Sequence, residues 1–282
     1  MSTRFVKMHG AGNDFVVIDH RVPFLPDDPR ALVAALCDRR RGVGADGVLL
    51  LERDAELDFA MRYYNADGHP ADYCGNGARC LARFALDLGL GAGDRVRFRT
   101  AAGPQSAVRL ADGRLAVAFG TVARAGEPIT VEAAGRAFEG RLIVAGVPHF
   151  VVGVGPVEDV PLAEWAPALR HHPRFGAAGA NVDFVARLEP GCVAMRTYER
   201  GVEAETLACG SGAIASAVWA AAAGERPPIA VLTAGGDTLI VSLEEAADPR
   251  LWQVRLTGPV EAVFSGEWTG ANVRRRASAG PD

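Results

Sequence analysis

An internal repeat constrains the fold of this chain more than any other feature. Short strings recur in the same order at offsets of 133 to 135 residues, close to half of the 282-residue chain. Because a repeated string usually marks a repeated structural unit, the pattern predicts two halves built on one plan. The matching pairs are MRYY at 61–64 with MRTY at 195–198, CGNGA at 74–78 with CGSGA at 209–213, and TAAG at 100–103 with TAGG at 233–236.

The flanks of the repeated strings predict the same order of elements in each half. An apolar strand-like run precedes a polar loop, and the C-G-x-G-A turn then opens an apolar helix, after which short strands resume. This order predicts an α/β fold of two pseudo-symmetric halves, each a mostly antiparallel curled sheet wrapped around a central helix. The predicted runs are strand 57–64, helix 78–88 and strands 95–99, 107–110 and 115–119, then strand 193–198, helix 213–223 and strands 229–232, 238–243 and 251–256.

The same pattern sets the expected domain boundaries. We expect an N-terminal half over 1–119, with a strand from 260–271 returning to it, and a C-terminal half over 120–259. The last residues, 272–282, are polar and rich in arginine, and we expect them to form a disordered tail.

Composition argues against several functional classes. The formal charge of −4 has the wrong sign for a nucleic-acid binder, and aromatic residues make up only 7% of the chain. Residues 207–224 carry no charge, but they are mostly Ala, Gly and Ser, which indicates a buried helix rather than a membrane span. We therefore expect neither a nucleic-acid nor a membrane partner.

The cysteines and the N-terminal residues favour a reducing compartment. Five cysteines at irregular spacing fit neither a disulfide framework nor a zinc site. No apolar run near the start is long enough for a signal peptide. We expect a cytoplasmic protein that binds no metal, in which Cys37, Cys80 and Cys192 are small structural side chains.

Two cysteines stand out because the repeat gives them equivalent positions. Cys74 and Cys209 each precede a Gly-x-Gly and then a predicted helix. The positive end of a helix dipole is expected to lower the pKa of each thiol toward the thiolate form. The glycines allow backbone N–H groups to approach an anion closely.

A pair of weak bases on opposite faces of one carbon can invert a stereocentre. One thiolate removes the α-proton while the other thiol delivers a proton from the far side. We therefore expect Cys74 and Cys209 to face one cleft between the halves, with sulfurs about 6–7 Å apart, since each must approach the carbon to about 3–3.5 Å.

The motifs as a group resemble diaminopimelate epimerase. The resemblance runs from about residue 5 to about residue 268, and the two cysteine-containing blocks together are highly specific. The strings that carry it are FVKMHGAGND at 5–14, NADG at 65–68, CGNGARC at 74–80, YERG at 198–201 and ACGSG at 208–212.

This resemblance implies an amino-acid epimerase that uses neither pyridoxal phosphate nor metal. It implies conversion of LL-diaminopimelate to the meso form in lysine and peptidoglycan synthesis by two catalytic cysteines, Cys74 and Cys209, in a homodimer. It further implies that His149 supports the site. The implied substrate-binding residues are Asn13, Asn65, Gly75, Asn76, Asn181, Glu199, Arg200, Gly210 and Ser211.

Two positions depart from the pattern of the family. Gly47 stands where a glutamine is expected, and Val147 stands where an asparagine is expected. The loop between Glu199 and Cys209 is also one residue longer. These departures concern contacts to the distal end of the substrate and leave the two thiols and their helix starts intact.

Three alternatives compete with this interpretation. A racemase or epimerase of another amino acid, such as proline or hydroxyproline, would need fewer polar partners than diaminopimelate, which carries a second ammonium and carboxylate. A thiol–disulfide redox protein would need a nearby resolving thiol, whereas Cys74 and Cys209 lie in different repeats. A non-catalytic binding module would be expected to lack one of the two thiols.

Overall fold

The computed structural model describes residues 2–270 and divides into two compact units. Within the described residues, the first unit comprises 2–117 and 259–270, and the second comprises 118–258. The predicted tail over 272–282 lies outside the described residues.

Short strands dominate both units, and each unit also contains two α-helices. The helices are α1 (Arg30–Cys37), α2 (Gly75–Asp87), α3 (Leu162–Arg170) and α4 (Gly210–Ala222). In chain order the strands are β1 (Thr3–Gly10), β2 (Asn13–Asp19), β3 (Gly47–Glu52), β4 (Phe59–Asn65), β5 (Pro70–Ala71), β6 (Arg95–Thr100), β7 (Gly103–Arg109), β8 (Leu115–Ala123), β9 (Ile129–Ala133), β10 (Arg136–Ala145), β11 (Val147–Gly153), β12 (Asn181–Glu189), β13 (Cys192–Glu199), β14 (Ala204–Thr206), β15 (Ile229–Leu232), β16 (Thr238–Glu245), β17 (Leu251–Gly258) and β18 (Glu261–Trp268).

The two units pair their strands by the same scheme. In the first unit the order is β18–β1–β2–β3–β4–β6–β7–β8, with β5 beside β4. In the second it is β9–β10–β11–β12–β13–β15–β16–β17, with β14 beside β13. Each order contains two parallel pairs, β2–β3 and β4–β6 in one and β11–β12 and β13–β15 in the other. The predicted fold of two similar halves with mostly antiparallel sheets is confirmed.

One helix lies at the centre of each sheet. Helix α2 contacts β1, β2, β3, β4, β6 and β7, and helix α4 contacts β10 to β13 and β15 to β17. A single helix can touch so many strands only if the sheet curls around it. The small residues of α4 permit this close approach, and Trp219 packs against Gly153, where an added Cβ would lie 2.6 Å from the indole ring.

The other helix of each unit, α1 or α3, packs on the outer face of the sheet. Val33, Leu36 and Cys37 of α1 pack with apolar side chains of β2 and β3, and α3 packs in the same way against β12. Burial raises the pKa of the Cys37 thiol to about 12, as expected for a structural cysteine. No helix within residues 2–270 is both long enough and apolar enough to cross a membrane.

Candidate active site

Cys74 and Cys209 are the N-cap residues of the two central helices. Both have extended backbone conformations, and each sulfur accepts a hydrogen bond from the third residue of its helix. The Gly77 N–H lies 3.5 Å from Cys74 Sγ, and the Gly212 N–H lies 3.3 Å from Cys209 Sγ. The repeated C-G-x-G string thus places a thiol against the unpaired N–H groups at each helix start.

The last glycine of each string lies against another side chain, at a closer distance in the second unit than in the first. A Cβ at Gly77 would lie 3.1 Å from a terminal methyl group of Leu49. A Cβ at Gly212 would lie 2.6 Å from Asp183 Oδ1 and 3.1 Å from Thr197 Oγ1. The second helix start is therefore the more tightly enclosed of the two.

We predict that Gly212→Ala is more destabilising than Gly77→Ala. Alanine gains about 1 kcal/mol of helix propensity at either position, so the difference between the variants reports the contact. A methyl of Leu49 can move aside, whereas Asp183 Oδ1 is held by Thr197 at 2.7 Å. Urea unfolding should show a loss of about 1–3 kcal/mol for Gly212→Ala and less than about 1 kcal/mol for Gly77→Ala. Equal losses would contradict this interpretation.

The Cys74 thiol faces a chain of two asparagines. Arg79 Nη2 donates to Asn76 Oδ1 at 2.7 Å, and Asn76 Nδ2 donates to Asn13 Oδ1 at 3.1 Å. The Cys74 thiol lies 3.6 Å from the same Asn13 oxygen. Because a guanidinium can only donate, Arg79 fixes the orientation of both amides, and the Asn13 oxygen therefore faces the Cys74 thiol.

A group of four charged residues holds the other end of Asn13. Asn13 Nδ2 donates to Asp46 Oδ2 at 2.7 Å, and Arg39 bridges Asp46 and Asp14 at 2.7 Å each. Lys7 bonds both Asp14 and the Gly44 carbonyl. Burial opposes ionisation of Asp14, but the hydrogen bonds from Arg39 and Lys7 hold its pKa well below the usual range.

The Cys209 thiol lies in a more enclosed and more acidic setting. Its residue is only 4% exposed, and its sulfur lies 3.4 Å from Ser211 Oγ. Glu199 accepts a hydrogen bond from Thr206, and its carboxylate also interacts with the Cys209 thiol. Burial raises the pKa of Glu199, and these two interactions offset only part of that effect.

The structure corrects the expectation that the helix start lowers the pKa of Cys209. Burial raises the pKa of this thiol well above its ordinary value, and the nearby carboxylates of Glu199 and Asp183 raise it further. The Ser211 hydroxyl and the Gly212 N–H act in the opposite direction but do not outweigh them. In the substrate-free protein, Cys209 is therefore a thiol.

We predict that Cys74 reacts with iodoacetamide at least about tenfold faster than Cys209 at about pH 8, because thiolate is the reactive form. Cys74 is half-buried, whereas Cys209 is buried and has a raised pKa. Peptide mass spectrometry of the substrate-free protein measures both rates. Cys80, which is fully buried in α2, serves as the unreactive control. Equal rates at Cys74 and Cys209 would contradict this difference in environment.

His149 and Asn181 are directly linked on neighbouring strands of the second unit. Asn181 Nδ2 lies 3.3 Å from His149 Nε2, and the Arg200 backbone N–H donates to Asn181 Oδ1 at 2.7 Å. The other imidazole nitrogen, Nδ1, lies 2.7 Å from Asp183 Oδ2. Arg200, predicted as a substrate-binding cation, thus also acts through its backbone.

The remaining predicted residues occupy less constrained positions. Asn65 is exposed at the end of β4, and its partner on the neighbouring strand β3 is Gly47. Gly75 and Gly210 are the first residues of α2 and α4. A side chain at Gly47 would meet the Tyr64 carbonyl at 2.5 Å and the Tyr63 ring at 2.7 Å, so this backbone has no room for the glutamine of the family pattern. Val147 begins β11 and carries no polar group.

Several residues of the site were not predicted from the sequence. Arg79 stands inside the quoted CGNGARC string, so its motif could have drawn attention to it. Asp46 adjoins the departure at Gly47, but nothing local indicates that it holds Asn13. Asp183 has no motif at all and is recognisable only because the fold places it beneath Gly212. Within residues 2–270, no cluster of three His, Cys, Asp or Glu side chains is arranged to hold a metal ion.

Comparison with known proteins gives a consistent result. The family model described as diaminopimelate epimerase matches residues 5–124 and 141–263. The chain is 41% identical to the diaminopimelate epimerase of Aquifex aeolicus, over 93% of this chain and 96% of that protein. It is 38% identical to the diaminopimelate epimerase of Desulforudis audaxviator, over 95% of this chain and 99% of that protein.

Similarity in fold extends to more distant enzymes. A hydroxyproline epimerase from Agrobacterium vitis, solved with bound trans-4-hydroxy-L-proline, superimposes with a TM-score of 0.66 at 21% identity, covering 94% of this chain and 92% of that one. At this identity the match reports a shared fold.

Proposed function

The chain belongs to the diaminopimelate epimerase family, and we propose that it inverts one α-carbon of LL-2,6-diaminopimelate to give the meso form. This isomerisation supplies lysine and peptidoglycan precursor synthesis. The observation that carries the mechanism is the pair of thiols, Cys74 and Cys209, each capping the central helix of its unit.

The proposed reaction uses the two thiols as acid and base. One thiolate takes the proton released when the α-carbon–hydrogen bond breaks, and the electron pair delocalises into the substrate carboxylate. The other thiol then protonates the carbon from the opposite face, so that configuration inverts and the protonation states of the sulfurs exchange. The backbone N–H groups at the starts of α2 and α4 are suited to stabilise the growing negative charge.

The surroundings of the thiols support unequal resting roles. The Cys74 thiol lies beside Asn13 Oδ1, an uncharged hydrogen-bond acceptor. The half-buried carboxylate of Glu199 is near enough to raise the pKa of Cys209, and it is a base able to take the thiol proton. We propose that Glu199 exchanges a proton with Cys209 and so gives the thiolate that acts on the meso form.

The polar ends of diaminopimelate need several partners. Following the resemblance, we assign Asn13, Asn65, Asn181, Glu199 and Arg200 to its ammonium and carboxylate groups. The helix-start residues form the two cradles for the reacting carboxylate, with His149 in a supporting role. The cradle residues are Gly75, Asn76, Gly210 and Ser211.

The family membership supports further proposals about how the protein works. We propose that it needs neither pyridoxal phosphate nor metal, since thiols and helix N–H groups supply the required chemistry. We propose a cytoplasmic homodimer. Val263 and Phe264 on β18 are 56% and 49% exposed and offer apolar surface for a second copy, which light scattering at several concentrations tests.

A substrate panel tests the proposed function. Purified protein is incubated without added cofactor with LL-diaminopimelate, L-proline or trans-4-hydroxy-L-proline, and the stereoisomers are separated by chiral chromatography. We expect equilibration of the LL and meso forms and no inversion of either cyclic amino acid. Inversion of a cyclic amino acid with no change in diaminopimelate would contradict the assignment.

A further inference from the structure

The side chains beneath the two helix starts differ in polarity although their backbones are equivalent. Leu49 pairs with Tyr63 across β3 and β4, and at an offset of 134 residues Asp183 pairs with Thr197 across β12 and β13. A third side chain joins each pair, Phe15 in the first unit and His149 in the second, again at an offset of 134 residues. We call these the apolar layer (Phe15, Leu49 and Tyr63) and the polar layer (His149, Asp183 and Thr197).

The polar layer is buried, so its hydrogen bonds must be satisfied internally. His149 and Asp183 are each 0% exposed, and Thr197 is 1% exposed. Asp183 Oδ2 lies 2.7 Å from His149 Nδ1, and Asp183 Oδ1 accepts from Thr197 Oγ1 at 2.7 Å. A buried carboxylate is costly unless both oxygens are bonded, and here each oxygen has a partner.

The proton positions along this chain follow from its one fixed donor. The Arg200 backbone N–H can only donate, so the Asn181 amide presents its oxygen to it and its nitrogen to His149. His149 Nε2 must then accept, which leaves the imidazole hydrogen on Nδ1. Asp183 Oδ2 accepts the hydrogen bond from this Nδ1–H.

We propose that Asp183 is a positioning residue of the epimerase, which holds His149 in the Nδ1–H tautomer and so keeps Nε2 able to accept from the Asn181 amide. Only the expected effect of Asp183 on turnover rests on the proposed function; the expected tautomer of His149 does not. Without an acceptor at position 183, His149 can carry its hydrogen on Nε2, where it would oppose the Asn181 N–H and break the bond between the two side chains.

The charged surroundings of Asp183 give it a second connection to the site. Its carboxylate faces His149 and lies against Gly212 at the start of α4, while Glu199 and Cys209 are near enough to feel its charge. Asp183 is among the groups that raise the pKa values of both Glu199 and Cys209. The apolar layer places no such charge beneath α2.

The test combines nuclear magnetic resonance with kinetics. Long-range 1H–15N correlation spectra of substrate-free protein distinguish the two histidine tautomers, and a His149→Phe spectrum identifies the His149 signals. The variants are Asp183→Leu, which copies Leu49 of the apolar layer, and Asp183→Asn, which keeps an acceptor oxygen. Thr197→Val serves as the matched control because it removes a hydrogen bond to Asp183 but not the one to His149.

We expect the Nδ1–H tautomer in the wild type, in Asp183→Asn and in Thr197→Val, and its loss in Asp183→Leu. Asp183→Leu should lower kcat/KM for diaminopimelate by about 10–100-fold, mostly through KM, with Asp183→Asn restoring much of it.

An Nε2–H tautomer in the wild type would overturn the proposal even if Asp183→Leu failed to fold. So would an unchanged tautomer in folded Asp183→Leu. Since the spectra need no substrate, failure of the proposed function would show separately, as an inactive wild type.

Discussion

Cys74→Ala and Cys209→Ala should each lower the rate of diaminopimelate epimerisation by at least about 10²-fold, since a positioned acid or base contributes about 10²–10⁴-fold. Inversion needs a proton acceptor on one face of the carbon and a donor on the other, so neither thiol can replace its partner. Chiral chromatography of the reaction measures the loss.

The two variants should differ in the proton exchange that remains. Each retains one thiol and should exchange the α-proton of only the stereoisomer whose carbon–hydrogen bond points at that sulfur. The resemblance favours Cys74 as the base for the LL form. Cys192→Ala, at the half-buried start of β13, is the matched control and should change the rate by no more than about twofold. Full epimerase activity in either alanine variant would exclude the two-base mechanism.

Glu199→Gln should reduce epimerisation by about 10²-fold and yet make Cys209 more reactive toward iodoacetamide. Epimerisation and alkylation should change in opposite directions because the Glu199 carboxylate has two separate effects on Cys209. Its negative charge raises the pKa of Cys209, so its removal increases the thiolate fraction of the resting protein. The same carboxylate interacts with the thiol and is able to take its proton, which glutamine cannot do.

The control for this variant is Glu205→Gln. Glu205 is a second glutamate, on neighbouring β14, and it forms an ion pair with Arg196 at 2.6 Å. We expect it to leave both epimerisation and Cys209 alkylation within about twofold of the wild type. Parallel decreases of epimerisation and alkylation in Glu199→Gln would indicate that Glu199 only maintains local structure.

The central elements of the fold were predictable because their signals are local. The C-G-x-G-A strings predict helices from residues 78 and 213, and the structure begins them three residues earlier, at Gly75 and Gly210, because the Gly-x-Gly forms the first turn. The repeat requires both units to share one plan. The strands of the first fifty residues and those over 129–189 were not identified, because they lie outside the repeated strings. Their pairing depends on partners distant in sequence, such as β18 beside β1.

The chemistry of the site was predictable only in part, for the same reason. That Cys74 and Cys209 cap helices follows from their neighbours in sequence. The pKa of Cys209 does not, because burial and the carboxylates of Glu199 and Asp183 decide it, and only the folded chain brings them together. Likewise, the Asp46 and Arg39 side chains that hold Asn13 come from loops whose positions no local pattern reports.

Proton exchange with solvent during turnover tests the central claim most directly. Wild-type protein is incubated with LL-diaminopimelate in D2O without added cofactor, and NMR follows the α-proton signals. In a two-base inversion the thiol that protonates the carbon carries a solvent-derived hydrogen, so meso-diaminopimelate should form with deuterium at the inverted carbon and hydrogen at the other. Meso product that retains the original hydrogen at the inverted carbon, or no conversion at all, would contradict the account.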